Sequence, residues 1–302
     1  MATDKIPVSE PFVSTLGNEL QQHERPRQEL LRNIGDIIGR TAVAFFTSFR
    51  YPVMIEAGDA DMIEEILQVT DLSNGLCLIL NSPGGDALAA ERVVRICRVY
   101  SAGNFEVVVP RRAKSAATMI AFGANKIYMT QTSTLGPIGT QVLRREPDGT
   151  LEQYSAHAII KSYDDLMEKA VNTEGHLEPY LQQLSRYNAV EIEELRTDEA
   201  LATDIAVRWL REGMLSKLSS SQIEKKISIF LKPEATKAHA RDIHYDEATK
   251  SGLKIELIPR SKPLWRFVAE LYTRADHYVR SDYCKLVESP DHHFALPRPK
   301  EE

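Results

Sequence analysis

The feature that most constrains the fold is a series of short apolar runs, each about as long as one β-strand and separated by amphipathic segments. The runs occupy residues 40–48, 76–80, 105–109 and 126–130. A strand without polar alternation is typical of a parallel sheet that is covered on both faces. Because helical segments separate the runs, right-handed βαβ crossovers are expected. The first half of the chain is therefore predicted to be α/β with a mostly parallel sheet.

The second half of the chain has a different pattern. Residues 156–218 are rich in Glu, Leu, Ala and Lys with helical periodicity, which predicts several helices. A short helix at 243–253, a strand at 254–258 and a last amphipathic helix at 264–283 are expected to follow. We therefore predict that the α/β core continues into a helical C-terminal arm.

These patterns divide the chain into four parts. The two ends are polar or proline-rich and are expected to be flexible. Between them lie an α/β core and a helical and mixed segment, which is expected to complete the site and to provide oligomer contacts. The predicted boundaries are 1–27 for the N-terminal arm, 28–155 for the core, 156–288 for the mixed segment and 289–302 for the tail.

The composition disfavours several classes of protein. With 43% hydrophobic and 26% charged residues, a chain of 302 residues can bury a large core. The net charge of -6 argues against a nucleic-acid partner, because phosphate binding depends on clustered Lys and Arg. The three cysteines have no disulfide or metal-ligand pattern, and the sequence contains no secretory signal or apolar stretch of membrane-spanning length. A soluble cytoplasmic protein without a metal or cofactor is expected.

The segment 81–86, NSPGGD, directly follows a predicted buried strand and directly precedes a predicted helix. Adjacent Gly84 and Gly85 allow a sharp turn with exposed backbone N–H groups, and the helix directs its positive end at the same place. These donors suit a phosphate or the oxyanion of a tetrahedral intermediate. The pattern is neither GxGxxG nor a P-loop, which disfavours a nucleotide. A tight β–α turn without a function is the alternative.

A second strand-to-helix turn lies within residues 111–119, RRAKSAATM. Ser115, at the start of the helix, is by default an N-cap. As a nucleophile, however, it would have substrate space beside Ala116 and Ala117, and the Ala116 N–H could bind an oxyanion. Consecutive βα turns lie at the carboxyl edge of a parallel sheet. Both segments and the turn-rich residues 134–139, TLGPIG, are therefore expected to meet there.

Together, the motifs SPGGDA, KSAATMIAFGANKIYM and LGPIGTQ resemble those of the Clp-protease-like serine peptidases. Within that group they resemble the serine dehydrogenase proteinase family in particular, which is related to signal peptide peptidase A. The resemblance is densest over residues 76–142, with a weaker match over 239–253. It implies a Clp/crotonase-type β/α superhelix with a helical arm for oligomerisation.

The resemblance also implies catalytic roles. Ser115 corresponds to the nucleophile, and the N–H groups of Gly85 and Ala116 correspond to the oxyanion hole, with Gly84 in a supporting position. In the Clp proteolytic subunit a histidine follows the nucleophile by a few tens of residues. The corresponding segment 134–141, TLGPIGTQ, contains no histidine. The general base must therefore come from another part of the chain.

Signal peptide peptidase relatives use a downstream lysine as the base, and Lys161 in AIIKS is the matching candidate. Its apolar neighbours could desolvate the amine and favour the neutral, basic form. The alternative is an ordinary solvated lysine near the start of a helix. His157 is a rival base and Lys169 a more distant one, while His239 and His244 could orient groups or cap a turn.

Three functions fit these residues. The first is a serine peptidase that cleaves polypeptides through an acyl-enzyme on Ser115, with Lys161 as base. The second is a crotonase-like acyl-coenzyme A enzyme, which usually needs a glutamate at the site; Glu91 lies on the helix after the glycine turn. The third is an inactive scaffold of the same fold. A serine at the nucleophile position favours the first. A homo-oligomer is expected, because the second half offers more amphipathic faces than one core needs.

Overall fold

The computed structural model describes residues 24–145, 149–232 and 241–299. In its first half, strands and helices alternate as the apolar runs predict. In chain order these elements are α1 (Arg25–Ile38), β1 (Thr41–Thr47), α2 (Ala57–Gln68), β2 (Leu76–Asn81), α3 (Ala87–Tyr100), β3 (Phe105–Val109), β4 (Arg112–Ala113), α4 (Ala116–Phe122), β5 (Ile127–Met129) and β6 (Thr134–Leu135).

The second half begins with a hairpin, continues as helices and then returns to the sheet. Its described elements are β7 (Gln141–Arg145), β8 (Leu151–Ser155), α5 (Ala156–Asn172), α6 (Glu178–Leu184), α7 (Ala189–Glu212), α8 (Ser220–Lys226), α9 (Ser228–Leu231), β9 (Ile243–His244), α10 (Tyr245–Lys250), β10 (Ile255–Leu257), α11 (Pro263–Arg280), β11 (Tyr283–Glu288) and β12 (His293–Pro297). Within the described ranges, no helix is both long enough and apolar enough to cross a membrane.

A seven-stranded sheet in the order β10-β5-β3-β2-β1-β11-β12 forms the centre of the molecule. The five strands from β10 to β1 are parallel. The last two strands, β11 and β12, extend the sheet by antiparallel pairing. The predicted α/β class with a mostly parallel sheet is confirmed.

The continuous apolar sequence of β2 follows from burial on both faces of the sheet. Leu78 and Leu80 pack in one core with residues of α2, α3, α4 and α7. Cys77 and Ile79 point to the opposite face and pack in a second core with residues of α1 and α11. Since helices cover both faces, the loops at the carboxyl ends of the parallel strands are the place where a site can form.

The predicted helical arm is present. Helix α5 packs against both α6 and α7, and Ile159 of α5 forms a small separate core with Ile192 and Leu195 of α7. The later part of α7, including Ile205 and Leu210, belongs to the main core of the α/β body. Helix α7 therefore joins the arm to the body. The arm is internal to the chain and not C-terminal, because β10 to β12 return to the central sheet.

The two ends of the described chain differ from the prediction. Helix α1 begins at Arg25 with Pro26 in its first turn, and the rest of the predicted N-terminal arm, 1–23, lies outside the described residues. The last helix was expected over 264–283 but ends at Arg280. Within the predicted tail, 289–302, the residues of β12 pair with β11.

The strand β11 escapes sequence analysis because charged side chains interrupt its apolar pattern. Lys285 and Glu288 are 1% and 0% exposed, respectively, and both form buried ion pairs. A lysine and a glutamate in YCKLVE indicate a solvated segment unless their partners are known. The partners, Asp59 and Arg27, are more than two hundred residues away in the sequence.

The ion pair between Arg27 and Glu288 attaches α1 to β11. Its two hydrogen bonds are 2.7 and 2.9 Å long, so the guanidinium binds both carboxylate oxygens. The same guanidinium lies 4.3 Å from the ring centroid of Tyr278. One turn further along α1, Arg32 forms a 2.8 Å pair with Asp291, but these side chains are 49% and 71% exposed.

We expect Arg27→Met to destabilise the protein much more than Arg32→Met. Removing one partner of a buried pair leaves the other charge desolvated and costs about 3–5 kcal/mol. Removing one partner of an exposed pair costs about 0–1 kcal/mol. Urea unfolding followed by circular dichroism measures both values. Equal destabilisation by the two substitutions would contradict the assignment of Arg27 as the buried attachment.

Candidate active site

Ser115 lies between β4 and α4 in a backbone conformation that non-glycine residues rarely adopt, with φ of 48° and ψ of -119°. Such strain costs about 1–3 kcal/mol and is concentrated at functional sites. The side chain does not cap the helix. Ser115 is partly exposed, and its Oγ makes no hydrogen bond within the part of the chain that the structure describes. The hydroxyl is therefore available for chemistry, unlike that of an ordinary N-cap serine.

The glycine turn touches Ser115 directly. A Cβ on Gly84 would lie 2.5 Å from the Lys114 carbonyl oxygen and 2.7 Å from Ser115 Cβ, and Gly84 has a φ of 103°. Gly85, with a φ of 155°, has the backbone of Ile55 on its other side, where an added Cβ would lie 2.2 Å from the Ile55 oxygen. Only glycine allows the chain to pass this closely between two neighbouring segments.

The backbone hydrogen bonds between the glycine turn and Ile55 use Gly84 O and the Asp86 N–H but not the Gly85 N–H. The Ile55 N–H donates to Gly84 O at 2.8 Å, and the Asp86 N–H donates to Ile55 O at 2.9 Å. Among the described residues, neither the Gly85 N–H nor the Ala116 N–H at the start of α4 has an acceptor. Ala116 directly follows Ser115 in the chain, and Gly85 directly follows Gly84, which lies against Ser115. Asp86 caps α3 by accepting a 2.6 Å hydrogen bond from the Ala89 N–H.

Thr118, which sequence analysis did not single out, fixes the segment 134–139 against the nucleophile turn. Its buried Oγ1 lies 2.8 Å from Ala113 O and 3.0 Å from Gly136 O, and it accepts a 3.1 Å hydrogen bond from the Gly136 N–H. The three βα turns that the sequence predicted to share one edge are therefore connected. A threonine within a run of small helical residues gives no sequence signal for this role.

Lys114, next to Ser115, is held in an ion pair with Asp242, and its Nζ also donates to Leu135 O at 3.3 Å. Burial raises the pKa of Asp242, but the hydrogen bond and charge of Lys114 outweigh it, so that the pKa lies below its ordinary value. Leu135 belongs to β6, and Asp242 directly precedes β9. The Lys114 amine therefore links the two strands that pair through Thr134 and His244.

Within the part of the chain that the structure describes, no hydrogen bond joins Ser115 to Lys161 or His157. Lys161 on α5 has a 54% exposed side chain, and its Nζ lies 3.6 Å from Asp165 Oδ1. His157 Nδ1 lies 3.8 Å from Glu199 Oε2. The helix that carries both begins close to the site, because the Ala156 N–H donates to Thr140 O at 2.9 Å. His239 lies outside the described residues.

The remaining residues raised by sequence analysis have structural surroundings. Glu91, the residue required by the acyl-coenzyme A hypothesis, forms a 2.9 Å ion pair with Arg208 of α7. Burial raises the pKa of the Cys77 and Cys97 thiols, which disfavours them as nucleophiles. Within the described residues, no group of three or more His, Cys, Asp or Glu side chains could hold a metal ion.

Comparison with curated proteins finds two uncharacterized relatives from Methanocaldococcus jannaschii. MJ0137 is 27% identical over 154 residues, which cover 48% of this chain and 50% of the relative. MJ1495 is 29% identical over 140 residues, which cover 46% and 44%, respectively. The chain thus spans about half the length of the curated relatives it matches.

Solved structures with similarity include ClpP1 of Listeria monocytogenes in a mutant form, with 15% identity, a TM-score of 0.39 and coverage of 76% of this chain and 97% of that one. Another is a mutant of the membrane-bound stomatin-specific protease 1510-N, with 15% identity, a TM-score of 0.40 and coverage of 68% and 75%. The family model described as ClpP-like SDH-type serine proteinase matches residues 23–178, just over half of the chain. The chain therefore belongs to the family of ClpP-like SDH-type serine proteinases.

Proposed function

We propose that the protein hydrolyses peptide bonds in polypeptide substrates through an acyl-enzyme formed on Ser115. The observation that carries this proposal is the strained conformation of Ser115, whose Cβ side is packed against Gly84 while its hydroxyl makes no structural hydrogen bond. A nucleophile at a sharp strand-to-helix turn is presented to substrate in this way. Family membership supports the same reaction class.

The unused N–H groups of Gly85 and Ala116 are proposed to bind the oxyanion. As Ser115 Oγ attacks the scissile carbonyl, the general base accepts the hydroxyl proton and negative charge develops on the carbonyl oxygen, where fixed donors stabilise it. Collapse of the tetrahedral intermediate breaks the C–N bond and releases the amine, which takes a proton from the general base. Water then attacks the ester on Ser115 and gives a proton to the base. The base returns that proton to Ser115 Oγ as the ester C–O bond breaks and the acid product leaves.

Lys161 is proposed as this base, and we further propose that α5 changes its position to bring the lysine to Ser115. In the single chain its amine faces Asp165 and is more than half exposed. Movement of α5 about its attachment at Thr140 would bring the amine towards Ser115 and remove it from water, which favours the neutral form. His157, one turn earlier on the same helix, is the rival.

A homo-oligomer is proposed as the state in which α5 takes that position. The arm leaves several large apolar side chains exposed to solvent. They are Met167 and Val171 on α5, Leu177 and Leu181 at α6, and Val190 on α7. Contact with a second copy would cover these side chains and could set the direction of α5.

We expect a fluorophosphonate probe to label Ser115 in the wild-type protein and to leave Ser115→Ala unlabelled. The probe reacts only with an activated hydroxyl, and mass mapping identifies the modified residue. Peptide hydrolysis should be lost with the label, while the unfolding midpoint of Ser115→Ala stays equal to or above that of the wild type, because strain is not increased. Label on another residue, or none on a folded wild type over neutral to alkaline pH, would favour the inactive scaffold.

Gly84→Ala is expected to abolish labelling of Ser115, because the new Cβ would displace Ser115 and the Lys114 carbonyl. Gly39→Ala is the matched control. Gly39 also has a positive φ, of 76°, but an added Cβ meets no atom within 4 Å. Both substitutions introduce about 1–2 kcal/mol of backbone strain. Labelling should therefore be retained in Gly39→Ala, and its loss there would show that general destabilisation is responsible.

Lys161→Ala is expected to slow labelling and peptide hydrolysis by about 10²–10⁴-fold, the range for loss of a general base. Lys250→Ala, which removes an exposed lysine that also has a carboxylate, Asp246, one helical turn away, should change either rate less than about twofold. Rates are compared at equal protein concentration because assembly is part of the proposal. If His157→Ala gives the large loss and Lys161→Ala does not, His157 is the base.

A further inference from the structure

Lys285 is a buried lysine that the proposed reaction does not use. It lies on β11 and is 1% exposed. Its Nζ lies 2.7 Å from Glu56 Oε1 and 2.9 Å from Asp59 Oδ2. Burial of an ammonium group is costly unless it is paired and hydrogen-bonded. The two carboxylates provide that pairing, and both belong to the start of α2.

The partners of Lys285 fix the first turn of α2. The Glu56 N–H donates to Asp59 Oδ2 at 2.8 Å, so Lys285 and the Glu56 backbone share one carboxylate oxygen. Glu56 and Asp59 also form a reciprocal capping box. The position of the Glu56 backbone therefore depends on where Asp59 and Lys285 lie.

Ile55, the residue before Glu56, forms backbone hydrogen bonds with the residues on both sides of Gly85. It binds Gly84 O through its N–H and the Asp86 N–H through its carbonyl, in bonds of 2.8 and 2.9 Å. These bonds enclose Gly85 between them. Gly84, on one side of Gly85, lies against Ser115, where an added Cβ would be 2.7 Å from Ser115 Cβ. A shift of Ile55 would turn the Gly85 N–H away from any oxyanion on the Ser115 side.

We propose that Lys285 is a positioning residue, which sets the direction of the Gly85 N–H through Asp59, Glu56 and the Ile55 backbone. The proposal rests on the oxyanion-hole role of Gly85 proposed above. Oxyanion donors act through fixed geometry, and a displacement of about 0.5 Å is enough to weaken them. The last described part of the chain thus contributes to a site built from residues of its first half.

The test uses Lys285→Met, which keeps the length of the side chain without its charge. The double variant Lys285→Met with Asp59→Asn serves if the single variant does not fold, because it removes the uncompensated carboxylate and keeps an acceptor for the Glu56 N–H. A third variant, Glu56→Ala, removes one partner of Lys285 from a side chain that is 67% exposed. Because Lys285 still pairs with Asp59 in this variant, no buried charge is left without a partner.

Arg27→Met is the matched control. It breaks the other buried ion pair of β11, between Arg27 and Glu288, which has no hydrogen bond to Ile55 or the glycine turn among the described contacts. Comparison with Lys285→Met separates a loss of stability from a loss of position. All variants are assayed at a temperature at which thermal unfolding shows them to be folded.

Two readouts are needed. Hydrogen exchange of the Ile55 and Asp86 amides reports on the bonds that enclose Gly85, whether or not the protein is an enzyme. We expect at least a tenfold faster exchange at both amides in the Lys285 variants and a smaller effect in Glu56→Ala. In Arg27→Met we expect no more than the change that its lower global stability, measured by urea unfolding, produces. We also expect kcat for peptide hydrolysis to fall about tenfold with KM within twofold, because loss of a full oxyanion donor costs about 10²–10³.

Each outcome decides the proposal. Wild-type exchange and kcat in a folded Lys285 variant, or an equal loss in Arg27→Met, would overturn it. Faster exchange without a change in kcat would show that Lys285 holds the turn but that the turn does not limit catalysis, and it would overturn the positioning role. If wild-type Ser115 is never labelled, the proposed function fails, and the exchange data alone still decide whether Lys285 holds Gly85.

Discussion

The arrangement of the site depends on one close contact, the passage of Gly84 between the Ile55 backbone and Ser115. Hydrogen bonds from Ile55 hold the glycine turn on one side, and the nucleophile turn lies against it on the other. Any side chain at Gly84 or Gly85 would separate these segments. Since the strained backbone of Ser115 requires surroundings that hold it in place, the contact explains how an unfavourable conformation persists in an otherwise regular α/β body.

The parts of the fold that could be predicted are those whose signal is local. Strand β2 reads as buried because Leu78 and Leu80 face one core and Cys77 and Ile79 face the other. The glycine and serine turns follow such strands directly, and the rule that parallel strands end at one edge places them together. The meeting of the glycine turn with the Ser115 turn could therefore be predicted from the sequence, although the unusual φ of Ser115 could not.

The parts that could not be predicted depend on partners distant in the sequence. Lys285 and Glu288 are buried only because Asp59 and Arg27 meet them, and a local pattern contains no trace of those partners. The role of Thr118 likewise depends on Gly136, which reaches it from the next turn. The position of Lys161 relative to Ser115 is of the same kind, since it is set by how α5 packs and not by the residues around it.

The two neighbours of β1 in the sheet, β2 and β11, are synthesised at very different times. Strand β1 pairs on one side with β2, thirty-five residues later, and on the other with β11, about two hundred and forty residues later. At about 5–20 residues per second, a ribosome needs on the order of ten to fifty seconds to deliver β11. During that time the apolar edge TAVAFFT has no partner on that side and is open to pairing with other chains. A nascent chain of this protein therefore exposes an unpaired apolar strand edge until β11 has been made.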